Sequence, residues 1–330
     1  MPETVSPAVS VVIPARNAAA TLPACLDALR NQVGGPPDYE IIVVDDGSTD
    51  DTAAIAEAAG ARVERKAHGG AASARNRGVA VARGALLLFT DADCEPMPDW
   101  MARLVAPFAD ASVVGARGVY RTRQRSLVAR FVQLEYEDKY RLLKPLQDID
   151  FVDTYSAAYR REAFVQGGGF DPSVRFLEDQ DLSFRLANRG YRLVFVPDAI
   201  VYHRHADSLR AYVLKKFHIG FWKARIVQTH PNKLARDTHT PLSQRGQMAL
   251  FYLALVLCLP AALGVISAWW SAGAALALTA TTVPFALRAA RKDPAVAAVA
   301  PILLWARAAA LGVGFALGMA RFLPRRLLRQ

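Results

Sequence analysis

The sequence contains little cysteine. Only Cys25, Cys94 and Cys258 occur among its 330 residues, and no two of them have the CxxC spacing of a structural zinc site. Their odd number also gives no framework of paired disulfides. We therefore interpret all three as reduced packing residues.

Acidic residues are scarce in the C-terminal part. Residues 200–330 contain 17 Lys and Arg against 3 Asp and Glu, whereas residues 1–199 contain 23 against 27. The two parts are therefore expected to face different surroundings. Basic charge also occurs in nucleic-acid-binding proteins, but here it lies beside uncharged apolar runs. This placement favours anionic lipid as the partner and no nucleic acid.

The pattern of a secretory signal is also lacking. The segment MPETVSPAVS contains no basic stretch followed by an apolar run, so we expect the N-terminal part to stay in the cytoplasm. With 52% hydrophobic and 21% charged residues, the chain can bury a large core and exceeds one average domain.

Long apolar runs follow residue 246. Gln247–Trp270 holds 24 residues without a charge, enough to cross a hydrocarbon core of about 30 Å. Ala272–Leu287 is shorter, contains Pro284 and precedes a basic cluster at 288–292, so a hairpin with both ends in the cytoplasm satisfies the positive-inside rule. If Ala295–Ala320 also crossed, Arg307 would lie near the midplane and the basic tail RFLPRRLLRQ outside. We therefore expect this third segment to be re-entrant or interfacial, with helices buried in a soluble domain as the alternative.

A helix lying in the membrane surface is predicted before these runs. Ser208–Gln228 has apolar residues at helical spacing and five Lys or Arg between them, although a helix packed on the domain would share this pattern. We therefore predict three parts: a cytoplasmic domain over 1–206, an amphipathic interfacial linker over 207–246, and a membrane region over 247–330.

Short apolar strands alternate with helices near the N-terminus. Such alternation predicts a parallel, doubly wound α/β sheet, whose ligand crevice lies at the carboxyl ends of the strands. The segments Pro14–Asn17, Asp45–Ser48 and Asp91–Asp93 each lie at the carboxyl end of a predicted strand, so we expect them to form one site. The strands are predicted at 9–15, 40–46, 61–66 and 85–90, and the helices at 21–32, 48–59 and 71–83.

Asp91 and Asp93 are like charges separated by one alanine. Such carboxylates repel each other unless a positive charge lies between them, so the pair indicates a cation site. A dinucleotide is not indicated as the ligand, because PARNAAAT follows the first strand without a GxGxxG motif and Gly69-Gly70 lacks a third glycine. We therefore set aside an oxidoreductase.

Six motifs follow one another over about residues 9–205. They are SVVIPARNAAATL, EIIVVDDGSTDDT, GGAASARNRG, FTDADCEP, GGFD and FLEDQDLSFRL. In this order and spacing they resemble glycosyltransferase family 2. The resemblance implies the GT-A nucleotide-diphospho-sugar transferase fold, a doubly wound mixed sheet, and inverting transfer from a UDP or GDP sugar. Membrane segments after the catalytic domain are common among relatives.

The resemblance also implies a metal site. Mg²⁺ or Mn²⁺ would neutralise the charge that develops on the leaving nucleotide. Asp93 matches the residue that binds the metal directly, and Asp91 one that helps to hold the metal and the ribose. His203 would complete the ligand shell of the metal, with His205 as the less favoured choice. The alternative is that the histidine has a structural role only. The alternative for the aspartates is that they cap a helix beginning near Pro98.

Nucleotide recognition is implied for the other strand ends. Asp46 is expected to hydrogen-bond the base, while Asp45 would be an internal cap, and the backbone of Ala15 would meet a uracil or guanine edge. Arg75 would lie near the diphosphate or be a surface charge. The implied nucleotide-sugar-binding residues are Pro14, Ala15, Arg16, Asp46, Arg75, Asn76, Asp91 and Ala92.

By the same resemblance, FLEDQDLSFRL carries the chemistry. Asp179 matches the base that takes the acceptor hydroxyl proton, with Glu178 beside it, and Asp181 and Arg185 organising the helix. Without the other motifs, EDQD would be interpreted as the acidic first turn of a helix. A phosphate acceptor is already ionised and needs no base, so Asp179 favours a hydroxyl acceptor.

The acceptor is expected at the membrane. Phe151–Tyr159 and Gly168–Asp171 match segments that shape the acceptor side in relatives, and Ser126–Leu143 is expected to form a helix or lid. The basic helix and the hairpin favour a lipid-linked acceptor, a polyprenyl-diphosphate saccharide or a glycolipid. They also favour a multi-pass protein of the cell inner membrane that serves envelope polysaccharide or glycolipid synthesis. The alternatives are a polyprenyl-phosphate sugar synthase and a membrane-anchored, non-catalytic nucleotide-sugar-binding scaffold.

Overall fold

The computed structural model describes residues 7–233 and 237–322. Two segments with a prediction lie partly outside the described residues. They are the N-terminal segment without a signal-peptide pattern, at residues 1–6, and the basic tail, from residue 323 onwards. Within the described part, one compact unit comprises the residues up to 123 together with 136–204, and a second comprises 124–135 together with the residues from 205 onwards. The predicted parts over 1–206, 207–246 and 247–330 stay a prediction.

The strands and helices of the first unit alternate up to β4. The strands are β1 (Val9–Ala15), β2 (Tyr39–Asp45), β3 (Arg62–Arg65), β4 (Leu86–Phe89), β5 (Cys94–Pro96), β6 (Val113–Arg121), β7 (Ala157–Arg160) and β8 (Arg192–His203). The helices that begin before residue 205 are α1 (Leu22–Arg30), α2 (Thr52–Ala58), α3 (Ala71–Val81), α4 (Trp100–Val105), α5 (Leu127–Leu143), α6 (Arg161–Gln166) and α7 (Glu178–Asn188).

Within the described residues, strands β1 to β8 form one mixed sheet in the order β3-β2-β1-β4-β7-β6-β8-β5. The first four positions are parallel, as the alternation predicts. The expectation of a parallel sheet is wrong at β7, which is antiparallel to both of its neighbours, and at β5, which is antiparallel to β8. Strict alternation ends at β4, because β5 follows it without an intervening helix. The mixed sheet of the predicted fold class is confirmed.

Helices cover both faces of the sheet. Val11 of β1 belongs to a core that includes Leu22 and Leu26 of α1, while the neighbouring Val12 belongs to a core that includes Val79 of α3. Successive side chains of a strand point to opposite faces, so a strand buried on both sides is apolar throughout. This burial explains why β1 has the bounds that its apolar run predicts.

Helix α2 begins at Thr52 rather than at the predicted Ser48. The hydroxyl of Ser48 accepts a hydrogen bond from the Asn17 amide at 2.9 Å, and the Asp50 carboxylate accepts one from the Ala19 amide at 3.1 Å. These side chains therefore hold the loop after β1 and are not in the helix. Polar side chains that bond to nearby backbone compete with helix formation in this way.

The second unit contains the first part of α5 and the helices after residue 204. Three of its helical stretches are long and apolar enough to cross a membrane, judged by length and composition alone: Leu242–Ala262, Trp269–Ala290 and Pro294–Phe322. The predicted interfacial or re-entrant position of the last stretch stays a prediction. The helices are α8 (Leu209–Thr229), α9 (Leu242–Ala262), α10 (Trp269–Ala280), α11 (Val283–Ala290) and α12 (Pro294–Phe322).

The first apolar run is interrupted, contrary to the prediction of one helix over 247–270. Helix α9 ends at Ala262, and Gly264 then adopts a left-handed φ of 68°, which glycine tolerates and other residues rarely adopt. The next helix starts only at Trp269. The packing role predicted for the cysteines holds for the buried Cys25 and Cys94 but is wrong for Cys258, which lies on an exposed face of α9.

Arg307, the charge within the third apolar run, is buried in an ion cluster. Its guanidinium donates to Glu135 of α5 at 2.6 Å and to the Gln247 side-chain oxygen of α9 at 2.5 Å. The other oxygen of Glu135 accepts from Lys216 and from Tyr212 of α8, each at 3.1 Å. Pairing and hydrogen bonding offset the cost that an isolated buried charge would carry.

Candidate active site

The predicted strand-end residues lie at one edge of the sheet. β1 and β2 are parallel with Ala15 beside Asp45, and β4 lies on the other side of β1. The carbonyl of Ala15 accepts a hydrogen bond from the Asp46 amide at 2.9 Å. On the other side, the thiol of Cys25 donates to the Asp91 carbonyl at 3.5 Å. The three polar segments therefore share one edge, as the parallel arrangement predicts.

Asp46 holds the loop that contains Gly69 and Gly70. Its Oδ1 atom accepts from Lys66 Nζ at 2.5 Å and from the Gly69 amide at 2.9 Å. Its Oδ2 atom accepts from the Gly70 amide and lies by His68 Nδ1, both at 2.8 Å. Burial alone would raise the pKa of Asp46, but these hydrogen bonds outweigh burial and lower it. The predicted contact with a nucleotide base stays a prediction.

The turn after β1 presents Arg16. Its guanidinium is exposed and lies 3.3 Å from His68 Nε2, beside the ring that faces Asp46. Pro14 and Ala15, the last two residues of β1, lie directly before Arg16. The arrangement places a cation next to the loop that Asp46 holds.

Arg75 joins two motifs that are about a hundred residues apart in sequence. Its Nη2 atom donates to Asp91 and its Nη1 atom to Glu178, each at 2.7 Å. The side chain is only 5% exposed, so the alternative of a surface charge is wrong. Burial alone would lower the pKa of Arg75, but the charges of Asp91 and Glu178 outweigh burial and raise it.

The Gly168–Asp171 segment is held by two side chains from the neighbouring motifs. Asn76 donates to the Phe170 carbonyl at 2.7 Å and accepts from the Phe170 amide at 3.0 Å. Arg185 pairs with Asp181 at 2.9 Å and donates to the Gly169 carbonyl at 2.6 Å. Asn76 was predicted at the nucleotide, but in this structure both ends of its amide are engaged by backbone.

Asp179 occupies the first turn of α7, between Glu178 and the buried residues of that helix. One carboxylate oxygen accepts from the Gln180 amide at 2.8 Å. Burial raises the pKa of Asp179 well above its ordinary value, and the nearby charges of Glu178 and Asp153 add to this effect, against an opposing effect of Arg75. A carboxylate with a raised pKa is a stronger base, as proton abstraction from a hydroxyl requires.

The backbone before Asp179 is strained. Leu177 adopts a left-handed φ of 68°, a conformation that is unfavourable for a branched side chain. Such conformations cost on the order of 1–3 kcal/mol and cluster at functional sites. Ser183 also fixes this turn, because its hydroxyl donates to the Asp179 carbonyl at 2.7 Å and accepts from the Val152 amide at 3.0 Å.

A buried ion pair beside Asp179 was not anticipated from the sequence. Arg117 of β6 is fully buried, pairs with Asp153 and donates to the Tyr155 hydroxyl at 3.3 Å. Asp153 lies within the segment predicted to shape the acceptor side. The sequence did contain an indication of this pair. An arginine inside the apolar strand VVGARGVYR would be buried, and a buried charge needs a partner of opposite charge.

Asp93 and His203 face each other at the end of the sheet. Oδ1 of Asp93 lies 3.3 Å from Nδ1 of His203, so both atoms are near enough to bind one cation. His205 is placed differently, because its ring contacts Gln133 at 3.1 Å. Tyr120 stacks on the His203 ring with 4.8 Å between ring centres.

Two further predictions concern the segment Asp91–Asp93. Helix α4 begins at Trp100 after Asp99, so the alternative that Asp91 and Asp93 cap this helix is wrong. Ala92 is buried in the core, which leaves only its backbone for contact with a nucleotide sugar.

Comparison with known proteins identifies the family. Residues 10–168 match the family described as Glycosyl transferase family 2. A pre-mycofactocin glycosyltransferase of Mycobacterium tuberculosis is 32% identical over 239 residues, which are 69% of this chain and 49% of that protein. Glycosyltransferase AglE of Haloferax volcanii is 28% identical over 225 residues, 65% of this chain and 72% of that protein. The chain therefore spans about half the length of the mycobacterial relative.

A solved structure shares the fold. A mannosyltransferase of Pyrobaculum calidifontis, solved in complex with GDP-Man and Mn²⁺, superposes with a TM-score of 0.61 at 21% identity. The match covers 97% of this chain and 89% of the other. At this identity the similarity supports the fold alone, which is that of the GT-A glycosyltransferases.

Proposed function

The chain belongs to glycosyltransferase family 2, and on this premise we propose that it moves a sugar from a nucleotide diphosphate sugar to a hydroxyl group of a membrane-associated acceptor. The observation that carries the proposal is the position of Arg75, which donates to Asp91 and to Glu178 at 2.7 Å. One buried cation thus fixes Asp91 relative to the turn that bears Asp179.

A divalent metal, Mg²⁺ or Mn²⁺, fits Asp93 and His203. A carboxylate oxygen and an imidazole nitrogen 3.3 Å apart are suitable donors, and Asp93 is partly exposed towards the site. When bound, such an ion neutralises charge on the diphosphate leaving group. Asp91, which is held by Arg75, has a different role in the proposal. It helps to hold the ribose of the donor and the metal.

Asp179 acts as the general base in the proposed reaction. Its carboxylate takes the proton of the acceptor hydroxyl while that oxygen bonds to the anomeric carbon, and the bond to the diphosphate oxygen breaks. Because the attack is direct, the product has inverted configuration. Glu178 helps by raising the pKa of Asp179 and by accepting from Arg75.

The donor is proposed to be a UDP or GDP sugar. Arg16, Asp46 and the loop at Gly69 surround the corner where β1 and β2 end, which is where the nucleotide would bind. The mannosyltransferase of the same fold holds GDP-Man with Mn²⁺, in agreement with this class of donor.

The acceptor is proposed to be lipid-linked. Three helical stretches are apolar and long enough to cross a membrane, and α8 carries basic residues beside them. A PGL/p-HBAD biosynthesis glycosyltransferase of Mycobacterium bovis is 45% identical over 94 residues, which are 27% of this chain and 36% of that protein. We further propose a position in the inner membrane with the catalytic domain in the cytoplasm, serving envelope polysaccharide or glycolipid synthesis.

A nucleotide-release screen tests this function. The full chain in detergent, supplied with native lipid extract, is presented with UDP and GDP sugars in the presence of Mn²⁺, Mg²⁺ or a chelator. We expect release with one donor, lost with chelator and in Asp93→Asn. Release from no donor, with nucleotide sugar still bound, would favour the scaffold. Release that needs a polyprenyl phosphate would favour the synthase.

A further inference from the structure

Cys94 lies beside the two proposed metal ligands. β5 and β8 are antiparallel, and Cys94 is paired with His203 in their register. The sulfur atom is 3.7 Å from Nδ1 of His203 and 4.0 Å from Oδ1 of Asp93. A thiol, an imidazole and a carboxylate therefore meet at one point on the sheet.

The distances fit one face of a small tetrahedral site. Metal bonds of about 2.0–2.1 Å to nitrogen and oxygen and about 2.3 Å to sulfur place N and O about 3.3 Å apart, and S about 3.5 Å from each. The observed N···O and S···N distances are 3.3 and 3.7 Å, and the S···O distance is 4.0 Å. For all three atoms to reach one ion, the S···N distance must shorten by roughly 0.2 Å and the S···O distance by roughly 0.5 Å.

The three ligands are held in place by the fold. Cys94 and Asp93 are adjacent at the start of β5, and ladder pairing fixes Cys94 relative to His203. The Tyr120 ring stacks on the imidazole and limits its rotation. The Asp93 side chain is 40% exposed, so solvent reaches this end of the ligand group.

We propose that Asp93, Cys94 and His203 form a binding site for a thiophilic divalent cation such as Zn²⁺, Cd²⁺ or Co²⁺. This inference builds on the proposed function, because Asp93 and His203 are shared with its Mg²⁺ or Mn²⁺ centre. Binding forms the metal–sulfur bond, and the thiol proton passes to solvent, with no change of oxidation state. Thiolate favours soft and borderline ions, whereas Mg²⁺ and Mn²⁺ favour oxygen ligands.

A thiophilic ion at this site would inhibit the proposed sugar transfer. One ion at a time can occupy Asp93 and His203, so a bound Zn²⁺ excludes the ion that supports transfer. Loss of a direct ligand is expected to cost at least as much affinity as loss of an outer-shell partner, which is about 10-fold. Cys94→Ser should therefore bind Zn²⁺ at least about 10-fold more weakly and retain its response to Mn²⁺.

Cobalt spectroscopy tests the site without any turnover. The chelator-treated full chain in detergent is titrated with Co²⁺, and thiolate-to-cobalt charge-transfer absorption is followed in the near ultraviolet. We expect this absorption, at one ion per chain, in the wild type and in Cys258→Ser, whose exposed cysteine is the control. We expect none in Cys94→Ser and a weaker signal in His203→Ala. A band that persists in Cys94→Ser, or no band in the wild type, would overturn the proposal.

A second measurement separates this inference from the proposed function. Zn²⁺ is titrated into Mn²⁺-supported transfer by the wild type, Cys94→Ser and Cys94→Ala, after each variant has been shown to unfold cooperatively. Relief of inhibition in both variants supports the site. If the wild type transfers sugar but shows no cobalt–thiolate band, only this inference is wrong. If the band appears but no donor supports transfer, only the proposed function is wrong.

Discussion

The Nη1 atom of Arg75 lies 2.7 Å from a carboxylate oxygen of Glu178, and its Nη2 atom lies at the same distance from Asp91. All three residues belong to one compact unit, although α3, the segment after β4 and α7 are far apart in sequence. The geometry of the proposed metal and base residues thus depends on one buried guanidinium. This dependence gives the first prediction.

Arg75→Met should destabilise the first unit by about 3 kcal/mol or more, because breaking a buried ion pair leaves uncompensated charge. Arg75→Lys keeps the charge but cannot donate to both carboxylates in the same planar geometry, so donor affinity should still fall. Urea unfolding and nucleotide-sugar titration measure these two effects.

Arg77→Met is the matched control for Arg75→Met. It removes an arginine from the same helix, but this arginine is half exposed and pairs with Glu64 at 2.7 Å. Exposed pairs contribute about 0–1 kcal/mol. If the two variants unfold at the same urea concentration, Arg75 does not have the structural role assigned to it.

The pH dependence of transfer should depend on Glu178. Because the charge of Glu178 helps to raise the pKa of Asp179, Glu178→Gln should lower that pKa and leave an oxygen for Arg75. A base is active when deprotonated, so the acidic limb of the kcat/KM profile should move to lower pH. Glu162→Gln, an exposed acid on α6, should leave the limb in place, and an unmoved limb in Glu178→Gln would argue against Asp179 as the titrating base.

Asp179→Asn should stabilise the fold at neutral pH. The pKa of Asp179 is raised in the folded state, so its stabilising contribution is complete below its ordinary pKa and is lost as pH rises through the raised value. Asparagine avoids this loss. The melting temperature of the variant should exceed that of the wild type at neutral pH, and the difference should shrink in acid. A lower melting temperature throughout would contradict a raised pKa for Asp179 in the folded state.

The ion cluster of the second unit should be sensitive to loss of its anion. Glu135→Gln leaves Arg307 and Lys216 buried without a compensating charge, so we expect a loss of about 3–5 kcal/mol. Thermal unfolding in detergent gives the comparison. Arg130→Gln breaks a half-exposed pair with Asp293 in the same unit and should cost about 1 kcal/mol or less. Equal losses of stability in the two variants would mean that the buried cluster contributes no more than a partly exposed ion pair.

The close approach of α8 and α12 should depend on glycine. A Cβ atom on Gly314 would clash with the Phe217 carbonyl oxygen, which belongs to the backbone and cannot move aside at low energetic cost. Gly314→Ala should therefore destabilise the second unit by about 1–3 kcal/mol. At Gly273 a Cβ atom meets nothing within 4 Å, so Gly273→Ala should be neutral or stabilising. A neutral Gly314→Ala would show that these helices are not in backbone contact.

The sequence allowed the framework of the first unit to be predicted, because buried strands are apolar throughout and helices have their own period. Strand β1 has the predicted bounds. Helices α1 and α3 begin and end within two residues of their predicted bounds. Helix α2 was extended wrongly because Ser48 and Asp50 favour a helix start in sequence but bind the neighbouring loop in space.

Side-chain roles in the site were less predictable. The motif gives the position of Asn76 but not its partner, since a side-chain amide hydrogen-bonds equally well to a ligand or to the Phe170 backbone. Cys94 was interpreted as a packing residue because it lacks a CxxC partner. Only the antiparallel register of β5 and β8, which are about a hundred residues apart, places its sulfur beside His203.

The central claim is that Asp179 is the base in a metal-dependent sugar transfer, and separating donor binding from transfer tests it most directly. Wild type and Asp179→Asn are compared by calorimetric titration of the donor with Mn²⁺ and by transfer to the lipid acceptor in the same detergent. We predict that Asp179→Asn binds the donor as the wild type does, with transfer reduced by about 10²–10⁴-fold. Wild-type transfer by Asp179→Asn would contradict the claim.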